Sequence, residues 1–379
     1  MLIILYIFFL IYFVAIVFYK ALSVLNYWGK HNNKKYLTNN EENQFTVIQP
    51  IVSGDPYLPE TLRKNLTKSR SLKFIWLLDR DDINAGEVVR SIINKNNDWK
   101  NRVKVIKVNT TPKGINPKIY KLLFALPLCG TYTIVLDDDT LVDFKDLGKV
   151  FHLLKEKDCL ITGIPYYRTQ SGFFPSLVTA FVNSNSLFTY LPNALTGKVN
   201  TIRTDLIKKY RIFEAIQGKL CDDHEISSYA RSKNIELIQS VIPCEVSTYI
   251  KDYKSYLHLM KRWMVCANIY TRAYMSTSLL ILTFFPSILP LLLFIISALL
   301  GLKYLLLFII FLTVKTSLFK FVRNKLIANK EPFYSPLFEF FADIILPFNF
   351  LYSLVAPNTV LWRKKQLNLK KDASGELIF

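Results

Sequence analysis

The chain has 379 residues, of which 51% are hydrophobic and 14% aromatic, and its formal net charge is +19. A basic chain of this kind suits a nucleic-acid partner, but the sequence carries no nucleic-acid-binding motif, and its basic residues are scattered or lie beside apolar segments. We therefore expect no nucleic-acid partner. Contact with an anionic membrane face explains the charge better, because each juxtamembrane Lys or Arg contributes about 1 kcal/mol there.

Cysteine and histidine usage narrows the class further. The five cysteines are odd in number and form no Cys-x-x-Cys pair, and the four histidines have no metal-ligand spacing. This pattern argues against a disulfide framework or a zinc site and predicts reduced thiols in the cytosol.

The first predicted element is an N-terminal transmembrane anchor, residues 1–24. Residues 1–19 carry no charge and are long enough to cross a hydrocarbon core of about 30 Å. No Lys or Arg precedes this run, which argues against a cleaved signal peptide. The positive-inside rule places the N-terminus outside and the next domain in the cytosol, because positive charges follow the run at Lys20, Lys30, Lys34 and Lys35.

Residues 41–250 read as a globular domain in which short apolar runs alternate with helical patterns. This order predicts an α/β domain with a mostly parallel sheet and helices on both faces. Ligands of such sheets bind outside the carboxyl ends of the strands, which is where the acidic residues of this domain occur. The predicted strands are 46–48, 74–78, 103–108 and 132–136, and the predicted helices are 59–69, 85–94 and 118–126.

Three aspartates, Asp137 to Asp139, directly follow the fourth predicted strand. On an extended backbone Asp137 and Asp139 point to the same side, and two such carboxylates can hold a divalent ion that also takes phosphate oxygens. A solvated acidic turn is the alternative. We favour the metal site, because three adjacent aspartates repel one another without a counter-ion.

Two other acidic groups lie at comparable places. Asp79 is the first polar residue after the second predicted strand and is placed to reach the uracil or ribose of a nucleotide, whereas Asp81 and Asp82 suit solvent or a helix cap. The Asp222-Asp223 pair precedes a helical pattern at 226–232. It serves either as an N-cap or as a general base for an acceptor hydroxyl, and the spacing leaves both open.

A loop at 114–117 is predicted to open a helix at Lys118. A lysine is unusual at the positive end of a helix, and a nearby anion such as a diphosphate would remove the conflict. Further along, residues 251–275 mix aromatic, apolar and basic side chains, which predicts an interfacial helix carrying Arg262-Trp263. This pair either anchors the helix or contacts phosphate and acceptor.

The C-terminal part is predicted to be membrane-embedded. Residues 276–320 read as a transmembrane hairpin with a turn at 301–303. Residues 333–357 contain Glu339 and Asp343 and two prolines, so we expect a re-entrant segment or a third C-terminal membrane segment. The tail, residues 358–379, is basic and expected to be cytosolic, with charges at Arg363, Lys364 and Lys365.

Over residues 46–263 the chain resembles the membrane-bound family 2 type of inverting glycosyltransferases with a GT-A domain, and within them the ceramide glucosyltransferase group and its bacterial relatives. One departure is Leu259, which stands where that group has Gln or Arg three residues before Arg262-Trp263. The ordered stretches that carry the resemblance are Gln49-Pro50, Gly54-Asp55-Pro56, Asp79 with Asp81-Asp82, Gly114-Ile115-Asn116-Pro117-Lys118, Asp137 with Asp139, Gly163-Ile164-Pro165-Tyr166, Asp222-Asp223 and Arg262-Trp263.

The resemblance implies a Rossmann-like GT-A domain in the cytosol between N- and C-terminal transmembrane helices. It implies transfer of a single sugar, glucose or another hexose, from a UDP-sugar to a membrane lipid such as ceramide, with Mg²⁺ or Mn²⁺ as cofactor. Asp223 would be the catalytic base. The remaining roles would be nucleotide binding by Pro50, Asp79, Lys118 and Asp137, metal binding by Asp137 and Asp139, and acceptor or diphosphate contact by Arg262 and Trp263.

Three other functions compete with this interpretation. A processive polysaccharide synthase shares the motifs but needs a translocation channel, for which the spans are few. A glycoside hydrolase also pairs carboxylates but needs neither a cytosolic domain nor this strand-end series. A non-enzymatic receptor or transporter subunit leaves the acidic series unexplained. The expected location is a multi-pass membrane protein, in the inner membrane of a bacterium or the Golgi or ER of a eukaryote.

Overall fold

The computed structural model describes residues 1–32, 35–191, 198–274, 276–327, 330–355, 359–362, 365–370 and 375–378. The chain divides into two compact units. The helical unit comprises Met1–Lys30, Tyr167–Pro192 and Ile250–Pro357, and the sheet unit comprises His31–Tyr166, Asn193–Tyr249 and Asn358–Phe379.

Over the described residues, the main sheet of the sheet unit has eight strands in the order β3-β2-β1-β4-β7-β6-β8-β5. The first four strands of that order are parallel, and β7 then runs antiparallel to β4. A separate antiparallel pair joins β9 and β10. The strands are β1 Phe45–Ile51, β2 Lys73–Asp79, β3 Val103–Val108, β4 Tyr132–Val135, β5 Thr140–Val142, β6 Cys159–Tyr167, β7 Lys198–Arg203, β8 Glu236–Val246, β9 Thr359–Trp362 and β10 Lys365–Asn368.

Helices follow the strands of the sheet unit and make up most of the helical unit. They are α1 Leu2–His31, α2 Asn39–Glu42, α3 Leu58–Lys68, α4 Ile83–Ile93, α5 Asn97–Arg102, α6 Pro117–Ala125, α7 Phe151–Glu156, α8 Phe173–Asn185, α9 Thr204–Tyr210, α10 Ile212–Ile216, α11 Asp222–Ser232, α12 Tyr253–Tyr274, α13 Thr277–Leu279, α14 Phe285–Leu300, α15 Leu302–Leu326 and α16 Ser335–Val355.

The predicted fold class, an α/β domain of the GT-A type with apolar helices at both ends, is confirmed. The four predicted strands correspond to β1–β4, and the predicted helices to α3, α4 and α6. Each strand is rich in β-branched or aromatic residues, and β1 is buried along its whole length. Because β1–β4 are parallel, their carboxyl ends meet at one edge of the sheet, as predicted.

A proline occupies this edge without breaking the sheet. Pro50 is paired with Leu77 of β2, but the pairing of β1 with β4 ends at Ile48 and Val135. Pro50 therefore lies where β1 has run past its other neighbour, and its missing N–H removes no hydrogen bond of the ladder. The expectation that Pro50 contacts the nucleotide remains a prediction.

In the part of the helical unit that the structure describes, four stretches are long and apolar enough to cross a membrane: Leu2–His31, Thr277–Leu300, Leu302–Leu326 and Ser335–Val355. Gly301 separates the second from the third with φ of 104°, a conformation that favours glycine, and this agrees with the predicted turn. The last stretch forms one helix, α16, despite Pro347 inside it. Whether that helix crosses the membrane or re-enters it stays a prediction, as do the other segment bounds.

The charges that made α16 unusual in sequence are paired inside the helical unit. Lys315 Nζ lies 2.8 Å from Glu339 Oε1 and 2.6 Å from Asp343 Oδ2. Arg323 lies 2.8 Å from Glu339 and 2.6 Å from Glu331. We call these five residues the Lys315 cluster. Mutual pairing makes buried charge tolerable on apolar helices.

The cysteines differ in part from expectation. Cys129, Cys159 and Cys244 are free thiols, whereas Cys221 and Cys266 are disulfide-bonded. The expectation of reduced thiols is therefore wrong for Cys221 and Cys266, because the spacing of cysteines in the sequence does not by itself reveal disulfides. Of the predicted basic tail residues, Arg363 and Lys364 lie outside the described residues, as does Lys34 near the N-terminal anchor.

Candidate functional site

Asp79 ends β2 and carries the first carboxylate of the candidate site. Its Oδ2 lies 3.1 Å from the ammonium of Lys121, whose side chain is fully buried. Lys121 also donates to the carbonyl of Ile51 at the end of β1, at 3.5 Å. The predicted nucleotide-binding carboxylate is thus neutralised from helix α6. Asp82 accepts from the backbone of Ala85 and caps α4, which is the role expected of it.

The aspartate series after β4 forms a turn. Thr140 N donates to the carbonyl of Asp137 at 3.2 Å, and the chain then enters β5. The extended backbone assumed from the sequence is therefore wrong here, because the chain reverses directly after β4. As a result, the carboxylates of Asp137, Asp138 and Asp139 contact different partners.

The backbone of Asp137 is fixed by a chain of buried polar groups. Gln49 Nε2 donates to the Asp137 carbonyl at 2.9 Å, and Trp76 Nε1 donates to Gln49 Oε1 at 3.1 Å. Asp138 turns back to accept from the backbone of Val52 at 2.9 Å. These contacts hold the first half of the turn against the end of β1. They use the backbone of Asp137, whose carboxylate contacts Lys118 instead.

Asp139 is held from the opposite side of the sheet unit. Its Oδ2 accepts from the hydroxyl of Thr248 at 2.6 Å, and its carbonyl accepts from the backbone of Ser247 at 2.8 Å. Both partners follow the end of β8. The turn is therefore clamped between β1 and β8, which fixes the positions of Asp137 and Asp139 relative to the sheet.

The centre of the site is a buried ammonium. Lys118 Nζ lies 2.6 Å from Asp137 Oδ1 and 3.7 Å from Asp223 Oδ1, and it also pairs with Asp222. Its side chain is only 8% exposed. We call these four residues the Lys118 cluster. One lysine thus pairs with three aspartates from two separate elements.

Electrostatics hold that lysine in its charged form. Burial alone would lower the pKa of Lys118, but Asp137, Asp222 and Asp223 outweigh burial and raise it well above the ordinary value. The neighbouring His224 is neutral near neutral pH, because burial, helped by Arg231, lowers its pKa to about 4.

Asp222 and Asp223 are presented by the first turn of α11. The capping position is Cys221, whose side chain makes no capping hydrogen bond, so neither aspartate is the N-cap that sequence spacing allowed. Both instead benefit from the positive end of the helix. Asp223 Oδ1 also accepts from Asn200 Nδ2 at 3.2 Å. The start of α11, Lys118 and Asn200 therefore hold Asp223, the predicted base, in position.

The loop before α6 positions Lys118. Gly114 has φ of 74°, which favours glycine, and Asn116 caps the helix by accepting from Lys118 N at 2.9 Å. The amide of Asn116 donates to the carbonyl of Lys219 at 2.9 Å. This contact joins the start of α6, which carries Lys118, to the loop that leads into α11, which carries Asp222 and Asp223.

The C-terminal residues complete that loop. Leu220 N donates to the carbonyl of Gly375, and Leu377 N donates to the carbonyl of Gly218, each at 2.9 Å. Lys219 lies 3.2 Å from Glu376. A segment expected from the sequence to be a basic tail thus packs beside the loop that carries Asp222.

Arg262 and Trp263 lie on α12 in the helical unit, as the predicted helix over this segment requires. Trp263 makes an edge contact with Tyr167, with ring centroids 5.7 Å apart, and stacks on Phe181 at 6.1 Å. Leu259, the departure from the related group, is buried. The predicted contact of Arg262 and Trp263 with donor and acceptor remains a prediction.

The expectation that Asp137 and Asp139 bind a divalent metal remains a prediction. Among the described residues, no three His, Cys, Asp or Glu side chains form a metal-ligand group. Asp137 and Asp139 alone supply two carboxylates. Mg²⁺ is commonly bound by one or two carboxylates together with substrate phosphates and water, so the donor set suits a metal that arrives with a nucleotide diphosphate.

Several residues of the site were missed in the sequence. Lys121 contacts the carboxylate of Asp79 and Asn200 that of Asp223, but neither residue is acidic or part of a motif that the sequence showed. Gln49 was named only as part of the Gln49-Pro50 stretch, without its role in holding the Asp137 backbone. A signal for Lys121 did exist. It stands three residues after Lys118 in an otherwise apolar helix, and such spacing places two side chains on one face.

Comparison with known proteins gives the family. No curated protein sequence matches the chain. Among solved structures, a mannosyltransferase from Pyrobaculum calidifontis in complex with GDP-Man and Mn²⁺ is 12% identical, with a TM-score of 0.44, over 91% of this chain and 99% of that one. TarS of S. aureus in complex with UDP-GlcNAc is 15% identical, with a TM-score of 0.39, over 89% of this chain and 99% of that one. The family model for glycosyl transferase family 21 matches residues 7–374, nearly the whole chain, so the protein belongs to that family and its prediction as a glycosyltransferase is confirmed at this level.

Proposed function

We propose that the protein transfers a single hexose from a UDP-sugar to the hydroxyl of a membrane lipid such as ceramide, with inversion at the anomeric carbon. The observation that carries this proposal is the meeting of Asp137, Asp222 and Asp223 around Lys118 at the carboxyl edge of the sheet. That edge is where nucleotides bind in α/β folds. A strand-end carboxylate and a base candidate therefore share one buried cation.

The reaction is a single displacement. The acceptor oxygen forms a bond to the anomeric carbon as the bond from that carbon to the diphosphate oxygen breaks, and UDP leaves with the electron pair. Asp223 takes the acceptor proton. General-base assistance of this kind contributes roughly 10²- to 10⁴-fold. Asn200 and Lys118 orient the Asp223 carboxylate before the acceptor arrives.

The donor is held by the strand ends. Asp79 and Pro50 at the ends of β2 and β1 are proposed to contact the nucleoside, and Asp137 and Asp139 to hold Mg²⁺ or Mn²⁺. The metal, when bound, stabilises the negative charge that develops on the leaving diphosphate. The clamps on the turn from Gln49, Thr248 and Ser247 keep these two carboxylates in place. Full turnover after complete metal removal by EDTA would contradict this assignment.

The lipid acceptor is inferred from the helical unit. Four apolar stretches among the described residues are long enough to cross a membrane and support a membrane location, and α12 carries Arg262 and Trp263 together with apolar side chains. A helix of this composition suits the interface between headgroups and hydrocarbon. Arg262 is proposed to contact phosphate and Trp263 the acceptor, with the sheet unit on the cytosolic side.

The decisive experiment is a donor-by-acceptor screen of the full-length protein in detergent, with mass spectrometry of the products. UDP-glucose and other UDP-hexoses are each offered with ceramide, other hydroxylated lipids and soluble glycosides. A lipid carrying one hexose supports the proposal. Long polymers would instead identify a processive synthase, and a soluble glycoside would rule out the lipid acceptor. A protein that releases no UDP with any acceptor would not be an enzyme of this class.

A further inference from the structure

Residues 375–378, which we call the C-terminal segment, lie between two other pieces of backbone in the sheet unit. On one side, Ile378 N donates to the carbonyl of Asn368 at 3.0 Å. Leu369 and Leu377 form an antiparallel bridge beside this bond, and both side chains are buried. The C-terminal segment is therefore anchored on the chain at the end of β10.

The other side of the C-terminal segment pairs with residues 217–221, which we call the α11 loop. Gly375 and Leu377 each share one backbone hydrogen bond of 2.9 Å with this loop. Between these two bonds, Glu376 and Lys219 form an antiparallel bridge and an ion pair of 3.2 Å. The α11 loop thus has, along one side, the backbone pairing of a β-strand.

The α11 loop is also held from the start of α6. Asn116 Nδ2 donates to the carbonyls of Lys219 and Leu220, at 2.9 and 3.2 Å. Asn116 N donates to the carbonyl of Gln217 at 2.6 Å. Asn116 is the residue that caps the helix carrying Lys118. The loop is therefore held on one side by the C-terminal segment and on the other by a part of the candidate site.

The α11 loop leads directly into the helical turn that carries the proposed base. Helix α11 begins at Asp222, and Asp223 follows in its first turn. Burial raises the pKa of Glu225 on the same turn, while Lys219 lowers it and Glu376 raises it. The C-terminal segment therefore acts on this turn electrostatically as well as through the backbone of the loop.

A general base works only when its carboxylate lies within hydrogen-bond reach of the proton that it removes. A displacement of about 1 Å can lower the rate about 10²-fold. We propose that the C-terminal segment is a positioning element for Asp223, which completes the backbone pairing of the α11 loop and so holds the start of α11 in place for the reaction. This inference rests on the proposed role of Asp223 as the base.

Two truncations of the chain test the proposal as a matched pair. A chain that ends at Leu377 keeps every contact with the α11 loop described above, whereas a chain that ends at Ser374 loses all of them. With UDP-glucose and ceramide, we expect kcat to fall about tenfold or more in the shorter chain. In the longer one kcat should stay within about twofold of the full chain. The Kd for UDP, measured by calorimetry, should stay within about twofold in both, because the proposed nucleoside contacts lie at the ends of β1 and β2.

Hydrogen exchange followed by mass spectrometry gives a readout that does not depend on turnover. Ending the chain at Ser374 should speed exchange of the amides of residues 218–226 about tenfold or more and leave those of α4 unchanged. In the full chain, the amide of Leu220 should exchange as slowly as amides of the main sheet, because it donates to Gly375. All preparations keep Cys221 disulfide-bonded, since reduction would alter the same loop independently.

Three results would overturn the proposal. They are an unchanged kcat in a folded chain that ends at Ser374, an equal loss of kcat in both truncations, and unprotected exchange at Leu220 in the full chain. The last of these needs no variant to fold. If exchange at 218–226 rises as expected but no preparation forms a glycolipid, the hold of the C-terminal segment on α11 is supported and the proposed function is the part that fails.

Discussion

Among the described residues, the Lys315 cluster of the helical unit and the Lys118 cluster of the sheet unit are both buried groups of charged side chains, and they differ in the charges that pair within them. The Lys315 cluster sets Lys315 and Arg323 against three carboxylates, and Lys20 interacts electrostatically with one of these, Asp343. Three cations then face three anions. The Lys118 cluster instead sets one lysine against three aspartates.

We expect the Lys315 cluster to act on stability and the Lys118 cluster to act in the reaction. A balanced set of buried charges satisfies itself and has no capacity left for a ligand, so its role is to let polar groups exist on apolar helices. The Lys118 cluster lies instead at the carboxyl edge of the sheet, where ligands of such folds bind, and it holds the proposed base, Asp223. The experiments below alter one cluster at a time and ask which property changes.

The largest effect is expected from Glu339→Gln, which breaks the balanced set at the carboxylate shared by Lys315 and Arg323. Two buried cations lose a partner, so the free energy of unfolding should fall by about 3 to 5 kcal/mol. Denaturant titration in detergent measures it. Turnover per folded molecule should remain as in the unaltered protein, and a selective loss of turnover would mean that the Lys315 cluster takes part in the reaction.

Asp223→Asn should lower turnover and leave stability unchanged, the reverse of Glu339→Gln. The change is nearly isosteric and removes one of three like charges, so stability should hold, while turnover falls by roughly 10²-fold or more. UDP affinity and product formation are measured on the same preparation. Asp222→Asn is the control on the same helical turn. If Asp222→Asn abolishes turnover and Asp223→Asn does not, the base is Asp222.

Acid should destabilise the sheet unit through His224. Burial lowers its folded pKa to about 4, so the unfolded chain, with a pKa near the ordinary value of 6.5, takes up its proton first. This contribution to stability is complete above pH 6.5 and is lost as the pH falls towards 4. Between pH 7 and pH 5 the loss is about 2 kcal/mol. Melting curves of the unaltered protein and His224→Gln at both pH values isolate it, and an equal loss in both would refute the assignment.

The smallest effect is expected at an exposed pair. Lys64 lies 2.5 Å from Glu60 one turn away on α3, and both side chains are about a third or more exposed. Glu60→Gln should change the free energy of unfolding by no more than about 0.5 kcal/mol, because water screens such pairs. The same denaturant titration as for Glu339→Gln provides the scale. A comparable loss at both positions would show that burial is not what distinguishes the clusters.

Local patterns predicted the parallel half of the sheet, since β1–β4 are short apolar runs and α3, α4 and α6 have helical periodicity. They also indicated Asp79, Asp137 and Asp223, because an acidic residue directly after a buried strand or at a helix start is visible in one dimension. The partners were not visible. Lys121 and Asn200 meet those carboxylates across 42 and 23 residues of chain, and only tertiary packing specifies such pairs.

The same reason explains why the extended backbone expected at Asp137 is wrong. The turn there is held by Thr248 and Ser247, which directly follow β8. The partners of the α16 carboxylates, Lys315 and Arg323, likewise lie on the preceding helix. In both cases the deciding group is distant in sequence, and hydropathy or periodicity within one segment carries no information about it.

The packing of residues 375–378 beside Gly218 and Leu220 has a practical consequence for anyone preparing the protein. An affinity tag or fluorescent fusion placed directly after Phe379 is joined to a strand-like segment that braces the loop leading to Asp222. A bulky fusion partner there would disturb the hydrogen bonds of residues 375 and 377 with this loop, and with them the start of α11. A fusion at this end therefore needs a long spacer, and activity should be compared with that of the untagged chain before any substitution is interpreted.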